Sequence, residues 1–295
     1  MVQLQLPAIG EQHRVVNVAS VPQRSPFRYP GGKTWFVPLV RQWLAQKQRP
    51  AKEFLEPFAG GGIVGLTVAF EAWASKVVLA ELDDQVAAVW KAILGDSAEW
   101  LANKITSFDV SFESVRSVLD TEYADPKEKA FQTLLKNRVN HGGILAPGSG
   151  VIKSGENGKG IKSRWYPATL RKRILDIAAI KDRIDFIEGD GVPLLRQKAT
   201  QEDAIFFIDP PYTAGGKKAG KRLYRYNDLN HEELFNVVET LRGDFLMTYD
   251  NTLEAQRLAQ DHRFDIEVIP MKNTHNVQMT ELLIGRDLQW ARGAQ

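Results

Sequence analysis

Short, almost wholly apolar runs alternate along most of the chain with longer stretches whose apolar residues recur every three or four positions. "EFLEPF" (53–58) and "KVVLAEL" (76–82) read as buried strands, and "GIVGLTVAFEAW" (62–73) and "DQVAAVWKAIL" (85–95) as the helices that follow them. After a long interruption, "IDFIEGD" (184–190), "AIFFID" (204–209), "DFLMTYD" (244–250), "FDIEVIP" (264–270) and "MTELLIG" (279–285) resume the strand pattern, with helices near 231–242 and 252–261. Such alternation predicts an α/β protein with an open sheet of about seven strands. Residues 96–180 hold helix-like stretches such as "EKAFQTLLKNRVN" and a glycine-rich loop, but no run that would extend the sheet. The expected division is a leader at 1–24, one α/β domain from 25–95 and 181–295, and an inserted, mostly helical subdomain at 96–180.

Composition narrows the function classes. At 295 residues and 43% hydrophobic, the chain can bury a full enzyme core, and none of its apolar runs reaches the length of a membrane span. Its first residues, "MVQLQLPAIGEQHRVV", lack the basic start and apolar middle of a signal peptide, so a cytoplasmic location is expected. The absence of cysteine excludes disulfides, thiolate metal sites and cysteine nucleophiles, and the five histidines never fall at ligand spacing, so no metal is expected. The net charge of +2 hides an uneven distribution: residues 153–173 carry +6 and residues 217–225 carry +5, leaving −9 on the remainder. Clustered cations on an otherwise acidic chain point to a polyanion partner.

Two motifs carry the chemistry. In "FLEPFAGGGIVG", Gly60, Gly62 and Gly65 fit the spacing G-x-G-x-x-G between a strand and a helix, and Glu81 ends the next strand. That context predicts a site for an adenosine-containing cofactor, whose ribose hydroxyls a carboxylate can accept; a nicotinamide cofactor and S-adenosylmethionine fit it equally well. The second is "AIFFIDPPYT" (204–213), a buried strand that delivers a carboxylate and an aromatic ring onto a turn stiffened by two prolines.

The quartet Asp209-Pro210-Pro211-Tyr212 resembles motif IV of the amino-directed DNA methyltransferases. "FRYPGGK" (27–33) resembles their motif X, and "EPFAGGG" (56–62) their motif I in the form of the Dam-like N6-adenine group. The order, X then I then the recognition region then IV, is that of the alpha class. The resemblance covers about residues 25–285 and implies a Rossmann-like methyltransferase sheet with an inserted target-recognition subdomain. The activity it implies is transfer of a methyl group from S-adenosylmethionine to the N6 amine of adenine in a specific DNA sequence. Aspartate at the first motif IV position favours that amine over N4 of cytosine, and RNA is the other alternative substrate.

The resemblance also implies roles for individual residues. Asp209 and the Pro210 carbonyl would accept the two N–H groups of the target amine, Asp209 would also touch the cofactor's methionine region, and Tyr212 would stack on a flipped-out base. Tyr29, Gly31, Gly32 and Lys33 of motif X would hold the methionine end of the cofactor. Glu56, Phe58, Gly60 and Gly62 of motif I, Glu81 at the ribose and Asp190 at the adenine would hold the rest. Asn140 matches loosely a family segment that ends in Asn-Gly. "KSRWYPATLRKR" (162–173) interleaves cations with aromatics, so Arg164, Trp165, Arg171 and Arg173 are expected DNA contacts, as are Lys217, Lys218, Lys221, Arg222 and Arg225 in the loop after motif IV. The partners implied are double-stranded DNA and, in a restriction–modification setting, a cognate restriction endonuclease acting on the same site. A monomer or weak dimer is expected, in a bacterial cytoplasm or phage-encoded in a host's.

Overall fold

Every position of the run Ala204–Ile208 is buried, which is why it is apolar throughout rather than alternating. The computed structural model describes residues 18–29, 31–48, 50–155, 158–211, 229–272 and 278–292. Its strands are β1 (Ala51–Glu56), β2 (Ala74–Glu81), β3 (Ile184–Glu188), β4 (Ala204–Ile208), β5 (Asp244–Asp250), β6 (Asp265–Lys272) and β7 (Gln278–Gly285). They form one seven-stranded sheet in the order β3-β2-β1-β4-β5-β7-β6, with β4 at its centre. The pairs among β1 to β5 are all parallel, and β7 runs antiparallel to both of its neighbours.

Successive side chains of the central strands enter two apolar layers. Phe54, Val77, Leu79, Ile205, Phe207 and Leu246 join one, and Leu55, Val78, Ala80, Phe206, Ile208 and Met247 the other. The first layer is closed by α1 (Val37–Ala45), α2 (Ile63–Glu71) and α3 (Asp84–Leu94), the second by α8 (Gly191–Lys198), α9 (His231–Glu239) and α10 (Leu253–Asp261). Between α3 and β3 lie α4 (Ala98–Ser107), α5 (Phe112–Leu119), α6 (Pro126–Val139) and α7 (Pro167–Ala178). Leu101, Ile105, Phe131, Leu134, Ile174 and Ile177 of these helices join the same apolar layer as Trp90 and Ile93 of α3. The helical insertion therefore shares the sheet's core and is held rigidly against it.

The first two strands begin earlier than their apolar runs, because Ala51 already pairs with Ala74 and backbone pairing, not side-chain apolarity, sets a strand's start. β1 ends before Pro57, which has no N–H to continue a ladder. Of the stretch read as a leader, residues 1–17 lie outside the described residues. Val21 is buried in the core, and Arg24 Nη2 meets Glu71 Oε1 at 3.2 Å.

The topology fixes where a ligand can sit. From β1 the chain crosses to β2 on one side, while β4 lies on the other side, so the strand order reverses between β1 and β4 and a crevice opens beyond their carboxyl ends. The sequences that follow those ends are "PFAGGG" and "DPP".

Phe207 anchors β4 just before that crevice, fully buried and stacked on Phe36 with ring centroids 5.6 Å apart. Phe207→Ala is expected to lower the unfolding free energy by about 3–5 kcal/mol, read as a fall in the urea midpoint. A loss below about 1 kcal/mol would mean that the site closes around the missing ring with little cost.

Candidate active site

The turn after β1 is built for close approach. Gly60 has φ +48°, and a Cβ there would lie 2.5 Å from the Tyr29 ring, so only glycine lets the loop and the motif X tyrosine meet. Gly65 lies one turn into α2, where a Cβ would come within 2.6 Å of Glu56 Oε2, and its N–H donates to that oxygen at 2.6 Å. Glu81, at the end of β2, accepts from Gly60 N through Oε2 and from Asp83 N through Oε1, both at 2.8 Å. Its carboxylate thereby ties the glycine loop to the start of α3 while lining the cavity. Asp190 also lines it, but its side chain accepts from Val192 N at 2.9 Å and caps α8.

The cavity measures about 490 Å³. Tyr29, Gly31, Gly32, Lys33, Glu56, Phe58, Gly62, Asp209 and Pro210 share its wall, so the motif X, I and IV segments converge as the sequence predicts. Asp209 follows β4, and its Oδ1 accepts from Thr248 Oγ1 on β5 at 2.8 Å. The same oxygen lies 2.9 Å from Lys33 Nζ. Lys33 is only 3% exposed; it also donates to the Gly31 carbonyl at 3.2 Å and lies 3.7 Å from Glu281 Oε2 on β7. Its ammonium is thus engaged by the chain itself. Tyr212, Lys217, Lys218, Lys221, Arg222 and Arg225 lie outside the described residues.

The expected DNA contacts divide. Arg171 is exposed on α7. Arg164 and Arg173 are half-buried and line the cavity, and Arg173 Nη1 donates to the Ser25 carbonyl at 2.9 Å. One expectation needs correction. Asn140 is 1% exposed and its amide donates to the Ile144 carbonyl at 2.9 Å, so it closes the loop after α6 and does not face a duplex. Trp165 is half-buried and packs edge-on against Phe108, centroids 6.2 Å apart, at the margin of the insertion's core.

Sequence reasoning passed over Arg28, Arg138, Thr248 and Glu281. The last two were visible as polar residues within otherwise apolar strands, in "FLMTYD" and "MTELLIG".

A seven-stranded sheet reversed only at β7, a glycine turn after β1 and an acid ending β2 define the class of Rossmann-like, S-adenosylmethionine-dependent methyltransferases. Residues 29–275 match the model of the D12 class N6 adenine-specific DNA methyltransferases, and the chain belongs to that family. Among solved structures it is similar to the rRNA methyltransferase AviRa from Streptomyces viridochromogenes, with 12% identity, 90% of each chain covered and a TM-score of 0.39. It is also similar to a precorrin-6y C5,15-methyltransferase from Geobacter metallireducens, with 12% identity, 95% of this chain and 97% of that one covered, and a TM-score of 0.35. No curated protein matches it significantly. Among the described residues, no helix is long and apolar enough to cross a membrane.

Burial sets the charge state of the acids around the cavity. It pushes Glu56 up to about 8, against the Gly65 N–H and with help from the charge of Asp209. Burial likewise lifts Glu81 to about 7 against its backbone hydrogen bonds, and Glu281 to about 7 against the pull of Lys33. A carboxyl whose folded value exceeds its unfolded one binds extra protons when folded, so its contribution to stability is complete below the unfolded value and lost as pH rises through the folded one. The urea midpoint of the free protein should therefore fall from pH 4.5 to about 8. Glu56→Gln, whose amide oxygen can still accept from Gly65, should remove part of that fall. A midpoint that climbs over the same range would mean that these carboxyls are ionised in the folded chain.

Proposed function

We propose that this methyltransferase acts on the N6 amine of an adenine within a specific DNA sequence, flipping the base out of the duplex and receiving the methyl group by direct in-line transfer. The observation that carries the reading is the meeting of the Asp209-Pro210-Pro211 turn with the glycine loop and Glu81 in one cavity. The family supports DNA and adenine as the substrate. It also supports a cytoplasmic setting, where DNA is met.

The residues fit an adenosyl cofactor: a loop that admits close backbone approach, a carboxylate at the end of β2, and a cavity long enough to join them to Asp209. Bound S-adenosylmethionine supplies an electrophilic methyl group on a sulfonium. Glu81 would accept the ribose hydroxyls, Asp190 would accept from the adenine amine, and Phe58 would pack beside them. On the target side the difficulty is nucleophilicity, because the N6 lone pair is delocalised into the adenine ring. Asp209 and the Pro210 carbonyl accept the two N–H groups and favour the geometry in which that lone pair points out of the ring plane. Lys33 and Thr248 both bond Oδ1 of Asp209, which fixes the carboxylate before the base arrives. Acceptors held in advance need no reorganisation during transfer, so they act on the barrier directly. Once methylated, the amine would have to shed a proton, and Asp209, already hydrogen-bonded to it, would be placed to take it. Tyr212 stacks on the flipped base, contributing on the order of 1–3 kcal/mol, and the cations of residues 217–225 meet the DNA backbone.

Two variants separate chemistry from cofactor binding. In single-turnover transfer of a labelled methyl group to DNA, Asp209→Ala is expected to lose about 10²–10³-fold at any cofactor concentration. Glu81→Gln leaves one of the two backbone N–H groups, Gly60 or Asp83, without its acceptor. It should weaken cofactor binding, yet recover much of its rate at saturating cofactor. Transfer by Asp209→Ala within about tenfold of wild type would contradict the mechanism.

A further inference from the structure

Motif X leads one to expect Lys33 at the amino-acid end of the methyl donor, but its ammonium already faces Asp209, Glu281 and the Gly31 carbonyl. The donor's carboxylate needs another partner. Elsewhere on the wall of the same cavity four arginines come together: Arg28, Arg138, Arg164 and Arg173. Two of them are anchored to a neighbouring segment of backbone, Arg138 through Nη2 to the Pro26 carbonyl and Arg173 through Nη1 to the Ser25 carbonyl. Arg28 is held by its backbone, donating to Asn137 Oδ1 at 2.8 Å and accepting from Asn137 Nδ2 at 3.0 Å.

What Arg28, Arg138 and Arg173 lack among the described residues is an anion. Among the described residues, Arg28, Arg138 and Arg173 make no salt bridge to a carboxylate, and two buried donors, Arg28 Nη1 and Arg138 Nε, have no hydrogen-bond partner. Arg138 is only 5% exposed. A guanidinium taken out of water and left unpaired is costly, and its planar fork matches a carboxylate. Burial and the charge of Arg164 lower the pKa of Arg28, while burial together with Arg173 and Arg28 pushes Arg138 down to about 9. An incoming anion would relieve both.

Position selects the anion. Ser25, whose carbonyl receives Arg173, donates through Oγ to the Gly61 carbonyl at 2.5 Å, so the segment that anchors the arginines is fastened to the glycine loop. Arg138 is too enclosed to meet a duplex backbone, whereas a small ligand lying along the loop reaches it within the shared cavity. We propose that Arg28 and Arg138, supported by Arg164 and Arg173, form an oxyanion pocket for the carboxylate at the amino-acid end of the methyl donor. This rests on reading the cavity as the S-adenosylmethionine site.

The test is calorimetric binding of the full chain to S-adenosylhomocysteine, to its decarboxylated analogue, which keeps the amine, and to 5′-methylthioadenosine, which lacks the amino-acid end. Wild type should bind S-adenosylhomocysteine at least about tenfold more tightly than the decarboxylated analogue, the step of one hydrogen bond to a charged group. Arg28→Gln should remove most of that difference by weakening S-adenosylhomocysteine alone. Arg138→Lys, with a charge but no fork, should give a smaller loss. Equal affinity of wild type for the first two ligands overturns the pocket without needing any variant, as does an Arg28→Gln protein that loses both ligands equally. If Arg28→Gln leaves S-adenosylhomocysteine untouched but flattens the log–log salt dependence of DNA binding by about 0.9, the arginines hold a phosphate and the proposal fails. Binding of none of the three ligands by wild type would instead refute the cofactor reading on which it rests.

Discussion

An ammonium group taken out of water has to be paired, and Lys33 meets that requirement by reaching from the segment before α1 to two strands of the sheet, at Asp209 just after β4 and at Glu281 within β7. Together with the stack of Phe36 on Phe207, this pairing ties the segment before α1 to the sheet. With the hydroxyl of Thr248 on the same oxygen, it gives the carboxylate of Asp209 one orientation at the cavity wall. Breaking it by removing one partner would leave charge buried without compensation, so the geometry of the site and the stability of the sheet's upper edge are not separable.

The sheet was legible because its central strands are covered on both faces, and a run such as "AIFFI" has few other places to go. The glycine loop was legible too, since the close approach of Tyr29 at Gly60 leaves no side chain a place there. What escaped the sequence depended on distant partners. Arg138 looks like one more cation on the polar face of a helix until its guanidinium is found against Pro26, 112 positions earlier. Trp165 lies among cations in "KSRWYPATLRKR", and its ring neighbour Phe108 comes from a different part of the insertion. Asn140 matched a motif by spacing, while its amide is taken by the loop four residues on.

The shared core of insertion and sheet bears on how specificity and chemistry communicate. Asn137 and Arg138 of α6 hold the backbone at Arg28 and Pro26, one to three residues from the Tyr29 that packs on the glycine loop. The helix of the insertion and the cofactor loop are thus two bonded contacts apart, with rigid packing around them.

The reversal of β7 has a consequence for how such a protein can diverge over evolutionary time. Because β6 and β7 pair antiparallel, with Lys272 opposite Gln278, those paired ends lie at the carboxyl edge of the parallel strands, and β7 pairs with β5 with Glu281 opposite Asp250. A connection that joins two antiparallel strands can lengthen without changing the register of either. Descendants of this chain could remodel the rim of the cleft by insertions at that one point while the registers that hold Lys33, Asp209 and Glu281 stay as they are.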